Sequence, residues 1–328
     1  MARVVMLHEL GGPEVLQIEE TDIGKPGEGE VRIRVRAIGL NRAEAMFRAG
    51  RYPIQPELPC KIGYECSGVI EETGPGITGW KKGDAACVMP NFMLGTYGVW
   101  GEEAIVPVTS LIEPPPDLSP IESASIWMQY FTALAIIEGA QATIDDFAVI
   151  RAASSSVGLA AIQLTNWAGA VSIAATRTSV KRDALLEQGA QYVIATEEQD
   201  YVEEVKRITK GKGARIVFDP VGGPFVEKLA ESMCERGILF IYGGLSEQPT
   251  PYPHWPSAFR GLSVRGWIAS EIWNHPQRFE RYKQVIYQGL ERGKLKPVIA
   301  KTFPLDQIAE ANRYLESNQQ MGKIVVTV

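Results

Sequence analysis

The residues between Phe147 and Gly189 have the types and spacing to hold a nucleotide. Phe147-Ala148-Val149-Ile150 reads as a strand, and Ala152 to Gly158 (AASSSVG) as a tight turn opening a helix that carries Ala161, Ile162, Leu164 and Trp167. Ala170 to Ala175 supplies the next strand and closes a βαβ unit. A helix start offers N–H groups without partners to an anion, and small residues let a pyrophosphate approach the backbone. The pattern G-x-G-x-x-G falls on Ala153, Ser155 and Gly158, so only its third glycine is present. Taken alone, the turn suits an ordinary structural crossover too.

The end of the second strand carries more weight. A pocket for an unphosphorylated dinucleotide places Asp or Glu there, about 20 residues after the turn, to bind the ribose 2′-hydroxyl. This chain has Thr176 and Arg177, followed by Lys181 and Arg182 in the first turn of a helix capped by Thr178 or Ser179. Cations at a helix N-terminus oppose its macrodipole by about 0.3–1 kcal/mol each. A bound 2′-phosphate offsets that cost and a solvated face does not, so the pattern favours NADP(H) over NAD(H).

These groups need a scaffold, and 328 residues suffice for two domains with separate cores. Residues 1–120 are rich in short strands and Gly/Pro turns; Glu30 to Arg36 alternates polar and apolar residues like a strand with one wet face. Pro114-Pro115-Pro116 marks a boundary. Residues 121–266 alternate strands with helices, the pattern of a doubly wound parallel sheet. The turns at 219–223 and 243–246 follow strands and belong on the carboxyl edge, where ligands of such sheets bind. Residues 267–328, with helices near 277–292 and 305–317 and a last strand from Lys323, are expected to return to the first domain.

The balance of 33 basic and 39 acidic residues, net −6, argues against nucleic acid or an anionic membrane as the main partner. Cys60, Cys66, Cys87 and Cys234 form no C-x-x-C pair and read as reduced apolar residues. The N-terminus lacks a signal-peptide core, and the longest apolar run, Ser125 to Ala140, is too short to span a bilayer. A cytoplasmic location is the expectation.

Eight segments in order resemble a known family: GGPEVL at 11–16, GLNRAE at 39–44, GYECSGVIEETGPG at 63–76, KKGD at 81–84, SSVGLAAIQ at 155–163, FDPVGG at 218–223, then GKLKP and GKIVV. The chain is similar nearly end to end to the zinc-independent quinone oxidoreductase branch of the medium-chain dehydrogenases/reductases. The resemblance implies an α/β protein with a GroES-like β-rich catalytic domain, a Rossmann domain, a cofactor cleft between them and a homodimer. Zinc members carry Cys, His and Cys where this chain matches with Asn41, Tyr64 and Met128, none of them a competent set for zinc. The segment from Pro90 to Trp100 is short and has no Cys, unlike a structural-zinc lobe. Without a metal, hydride delivery to a quinone or enone needs hydrogen-bond donors at the developing oxyanion and a proton source.

The resemblance implies that Asn41 faces the nicotinamide and that Tyr52 donates the proton; a packing role for Tyr52 is the alternative. It sets Thr132, Ser155, Ser156 and Val157 at the nicotinamide and pyrophosphate, and Thr176, Arg177 and Lys181 at the adenosine phosphate. Gly243, Gly244, Leu245 and Ser246 flank the nicotinamide ribose, and Lys323 the far edge. Met46 stands where some quinone reductases have a tyrosine, and Tyr64 reads as filler of the vacant metal position. His8, His254 and His275 lie outside every matched motif. An enoyl-thioester reductase is the alternative activity, with Arg42, Arg48 and Arg51 as either a phosphate-steering patch or a solvated face. A catalytically idle NADPH-binding protein is a further alternative.

Overall fold

Alternation along residues 30–39 builds the first sheet. Val31, Ile33 and Val35 are at most 2% exposed, whereas Arg32 and Arg34 turn outward to pair with Glu72 and Glu71 at 2.9 and 2.8 Å. Each apolar side chain buried this way contributes about 1.5–3 kcal/mol. The computed structural model describes all 328 residues. In chain order the first part holds β1 (Ala2–Leu7), β2 (Leu16–Thr21), β3 (Glu30–Gly39), α1 (Arg42–Arg48), β4 (Cys60–Lys61) and β5 (Cys66–Thr73). It continues with β6 (Ala85–Val88), β7 (Glu103–Pro107), β8 (Leu111–Ile112) and α2 (Pro120–Ser123). Helix α3 (Trp127–Ala133) contains the boundary between two compact units.

The second unit, Gln129–Lys296, runs β9 (Phe147–Arg151), α4 (Ser156–Trp167), β10 (Val171–Thr176), α5 (Arg182–Glu187), β11 (Tyr192–Ala195), α6 (Tyr201–Ile208) and β12 (Ala214–Asp219). It ends with α7 (Val226–Glu231), β13 (Met233–Ile241), α8 (His254–Arg260), β14 (Ser263–Gly266), α9 (Ser270–Trp273) and α10 (Pro276–Glu291). Its six strands are all parallel, in the order β11-β10-β9-β12-β13-β14. The chain steps outward on one side, returns to the middle, and steps outward on the other; the reversal lies between β9 and β12, where such sheets bind dinucleotides. Both faces are covered, which explains the continuous apolar runs of β9 and β10.

The chain then returns through β15 (Ile299–Pro304), α11 (Ile308–Glu316) and β16 (Lys323–Thr327). These complete the first unit, Met1–Met128 with Pro297–Val328. Its sheets are β2-β1-β4 and β15-β16-β3-β5-β6-β8, with β7 also on β3. The division corrects the expected boundaries: the units part at Gln129 rather than 121, and the return starts at Pro297 rather than 267. Helix α10 accounts for the second difference, because its Arg278 and Tyr282 bond Glu138 of the second unit. No helix is long and apolar enough to cross a membrane.

Candidate active site

Helix α4 begins with Ser155 as N-cap, its hydroxyl accepting from the Gly158 N–H at 3.0 Å. That leaves the Ser156 and Val157 N–H groups, the first two of the helix, with no intrahelical acceptor. Gly158 is obligatory: a Cβ there would lie 2.6–2.7 Å from backbone atoms of Ala152 and Ala153. The left-handed residue of the turn is not a glycine but Ala152, at φ +48°, a conformation disfavoured by about 1–2 kcal/mol for an L-residue. The missing first two glycines thus did not remove the turn; a strained alanine makes it.

Lys181 reaches back to this turn, its Nζ 3.1 Å from Ser154 Oγ. Burial, then the neighbouring Arg177 charge, push the Lys181 pKa down. Two like charges therefore converge beside the anion turn, and Thr176 ends β10 next to them. Arg182 does not join them: its guanidinium bonds the Val193 carbonyl and Gln199, both at 2.9 Å. Thr178 is the N-cap of the short 3-10 turn Ser179–Lys181 but makes no side-chain cap; Glu198 instead accepts the Ser179 N–H at 2.9 Å.

The two turns expected on the carboxyl edge meet there. The Leu245 and Ser246 N–H groups donate to the Pro220 and Val221 carbonyls at 3.1 and 2.9 Å, while Gly243 and Gly244 stay exposed. Sequence reasoning missed the brace beneath them. Asp219, fully buried, accepts from Arg151 at 3.1 Å and from the Val221 and Gly222 N–H groups at 2.9 and 3.0 Å. The signal was a cation ending an apolar strand at Arg151. Thr132 is buried in α3 at 8% exposure.

The first unit carries a closed polar network. Lys323, 1% exposed, donates to Glu65 at 2.5 Å and to Asn41 Oδ1 at 2.7 Å. The Asn41 amide nitrogen donates to the Gly39 carbonyl at 3.0 Å and to Glu65 at 3.3 Å. Glu65 also accepts the Met128 N–H at 3.0 Å. Glu44, fully buried, accepts the Asn41 and Tyr64 N–H groups at 2.6 and 2.9 Å; burial pushes its pKa up to about 8 against these bonds and the Lys323 charge. Both ends of the Asn41 amide are thus engaged within the protein. Lys323, expected at the far edge of the cofactor, has its ammonium bonded to Glu65 and Asn41.

This donor set does not fit a zinc ion. Asn41, Tyr64 and Met128 offer an amide, a phenol and a thioether, and the two adjacent carboxylates are committed, Glu65 to an ammonium and Glu44 to the Asn41 and Tyr64 N–H groups. Burial holds the Cys66 thiol pKa well above its ordinary value. The three histidines are exposed, and His8 pairs with Glu19 at 2.5 Å.

Tyr52 is half-buried against the core of this unit. Tyr64 is 6% exposed, and burial, followed by the neighbouring Tyr52 phenol, raises its pKa. Two of the three arginines of the expected patch are committed internally. Arg48 is fully buried, bonding Glu316, Asn312 at 3.0 Å and the Gly11 carbonyl at 3.1 Å; Arg42 is tied to the Leu315 carbonyl and Asn318 at 2.9 and 2.7 Å.

Known proteins share this arrangement of domains. Residues 27–116 match the alcohol dehydrogenase GroES-like domain, and residues 156–287 match the zinc-binding dehydrogenase family. The chain is 29% identical to a 2-haloacrylate reductase of a Burkholderia species over 99% of both chains. It is 30% identical to a synaptic vesicle membrane protein VAT-1 homolog of Danio rerio, over 99% of this chain and 70% of that one. The crystal structure of Escherichia coli quinone oxidoreductase complexed with NADPH superposes with a TM-score of 0.92 at 26% identity over the whole of both chains.

Proposed function

The chain belongs to the medium-chain dehydrogenase/reductase superfamily, with quinone oxidoreductases and 2-haloacrylate reductase among its relatives, and from that premise we propose a metal-independent reductase of quinones or activated alkenes. It is an NADP(H)-dependent oxidoreductase acting on a small molecule. The observation that carries the metal-free reading is the network at Asn41, Glu65 and Lys323. An ammonium and an amide neutralise and satisfy the carboxylate that a Lewis acid would need. Activated double bonds suit such a site, because their electron-withdrawing group does the polarising that zinc would otherwise do. The name of the 2-haloacrylate reductase points to the same substrate class.

Bound NADPH supplies the hydride. The Ser156 and Val157 N–H groups, beside the Ser155 cap, hold the pyrophosphate, and Arg177 and Lys181, next to Thr176, hold the ribose 2′-phosphate. Gly243 and Gly244, on the braced turn with Leu245 and Ser246, leave the nicotinamide ribose room. Thr132 is assigned to the nicotinamide end. Asn41 acts by fixing the start of α1, and Tyr52 donates the proton. The enoyl-thioester alternative loses its support with Arg42 and Arg48 both committed internally.

Purified protein offered NADPH with a panel of quinones, 2-substituted acrylates, enones and enoyl thioesters is expected to turn over quinones or acrylate-type alkenes, without stoichiometric zinc. Tyr52→Phe should lower kcat about 10²-fold or more, the usual worth of a positioned acid, with little change in NADPH affinity. NADPH binding without turnover on any acceptor would remove the reading, and full activity of Tyr52→Phe would demote that residue to packing.

We also propose a homodimer through β14, the edge strand of the parallel sheet. Beside it α8 exposes Trp255 and Phe259 at 66% and 81%, an edge and an apolar patch that a second copy would cover. A monomer in sedimentation velocity at micromolar concentration would sink this assignment.

A further inference from the structure

Strands β9 and β12 flank the reversal of the parallel sheet, and their pairing stops one residue short of their ends. The ladder sets Ala148, Val149 and Ile150 opposite Ile216, Val217 and Phe218. Each strand then runs on by one residue, Arg151 paired with Ala175 of β10 and Asp219 with Ile241 of β13. The rung between Arg151 and Asp219 is made by side chains instead of backbone. Arg151 Nη1 donates to Asp219 Oδ1 at 3.1 Å, and the two side chains are 14% and 0% exposed. The ligand crevice of a doubly wound sheet opens where neighbouring strands part in this way.

Both partners are held from behind. The Arg151 guanidinium lies over the Phe225 ring, 4.5 Å from its centroid, and Asp219 also accepts the Val221 and Gly222 N–H groups. Each partner begins one of the two turns assigned to the cofactor. Ala152, next after Arg151, is the left-handed residue of the pyrophosphate turn, and its carbonyl accepts the Ser155 N–H at 2.9 Å. Asp219 opens the 219–223 turn, on which the 243–246 turn is closely seated: a Cβ on Gly243 would lie 2.7 Å from the Pro220 carbonyl oxygen. The pair is neutral as a unit. Asp219 alone would set a buried negative charge beside the turn that receives phosphates, and Arg151 cancels it.

We propose that Arg151 and Asp219 are positioning residues for the dinucleotide: their ion pair takes the place of the missing rung and fixes the spacing between the pyrophosphate turn and the nicotinamide-ribose turn. The inference rests on the NADP(H) site described above. A ligand that spans both turns depends on that spacing, and one that occupies only the adenosine side does not.

The test is calorimetric binding to the full-length protein of NADPH and of adenosine 2′,5′-bisphosphate, which carries the 2′-phosphate but no nicotinamide half. Arg151→Met keeps an unbranched stem and removes the charge. It is expected to raise the NADPH dissociation constant about 10-fold and that of the bisphosphate by no more than about twofold. Arg151→Lys, which keeps a cation for Asp219 but not the planar fork, should recover part of the NADPH affinity. Arg151→Met leaves a buried carboxylate without its counter-ion, so Arg151→Met with Asp219→Asn is measured beside it. Removing both charges should bring the urea midpoint back towards wild type, with NADPH still bound about 10-fold more weakly because the rung is absent. Folded variants that bind NADPH within twofold of wild type overturn the inference and leave the NADP(H) site standing. Equal weakening of NADPH and the bisphosphate also overturns it, since the damage then is not to the spacing. A wild-type protein that binds neither ligand overturns the site and the inference together.

Discussion

Replacing Arg177 by Ala is expected to lower kcat/KM with NADPH about 10- to 100-fold while NADH turnover stays within about twofold. Charge-assisted bonds to a phosphate contribute about 1.5–3 kcal/mol each when made by a cation of this kind, and 1.4 kcal/mol is tenfold. Arg177 is exposed and no carboxylate pairs with it, and its charge already bears on Lys181. A dianionic phosphate removes that repulsion; a 2′-hydroxyl does not. Lys181→Ala should act in the same direction but also loosen the Ser154 turn it bonds, so some NADH activity goes with it. Arg182, three residues past Ser179 and just as cationic, should not alter selectivity when replaced, because its guanidinium is spent on Val193 and Gln199. Steady-state kinetics with both cofactors decides the matter, and an unchanged NADPH/NADH ratio in Arg177→Ala would falsify the 2′-phosphate assignment.

Lys323→Met carries the second large effect, on stability. The Lys323 and Glu65 side chains are 1% and 0% exposed and 2.5 Å apart. Breaking such a buried pair by removing one partner costs about 3–5 kcal/mol, because the other charge is left without its counter-ion. The thermal midpoint of the first unit should fall by on the order of 10 °C. Removing both charges, in Lys323→Met with Glu65→Gln, should recover a good part of the loss, since the desolvation of both ions is then avoided. The NADPH dissociation constant of the folded single variant should change little. A tenfold weaker constant with an unaltered midpoint would restore Lys323 to the cofactor contacts.

These two residues show what could be read from the order of amino acids and what could not. The Arg177 neighbourhood was legible because a βαβ unit is local: strand, turn and helix follow within about 30 residues. The strands read at 147–150, 192–194 and 263–266 lie within or match those in the structure. Lys323 was not legible, because its partners Glu65 and Asn41 are 258 and 282 residues away along the chain. The same holds for Arg48, whose cationic side chain read as surface but lies under Asn312 and Glu316. Periodicity reports which face of an element is buried; it does not say which distant polar group waits there. The late return at Pro297 was missed for a related reason, since amphipathic α10 presents an apolar stripe without saying which unit receives it.

The placement of β16 has a consequence for synthesis. It lies between β15 and β3, pairing Val325, Val326 and Thr327 with Gly39, Ile38 and Ala37. A ribosome makes the chain from the N-terminus, so the Ala37–Gly39 end of β3 emerges without this neighbour and lacks it until the entire parallel-sheet unit has been made. The parallel-sheet unit, continuous in sequence, can complete its fold during that interval, while the incomplete sheet of the first unit waits with open backbone donors and acceptors. A strand translated early is thus among the last to gain all its neighbours.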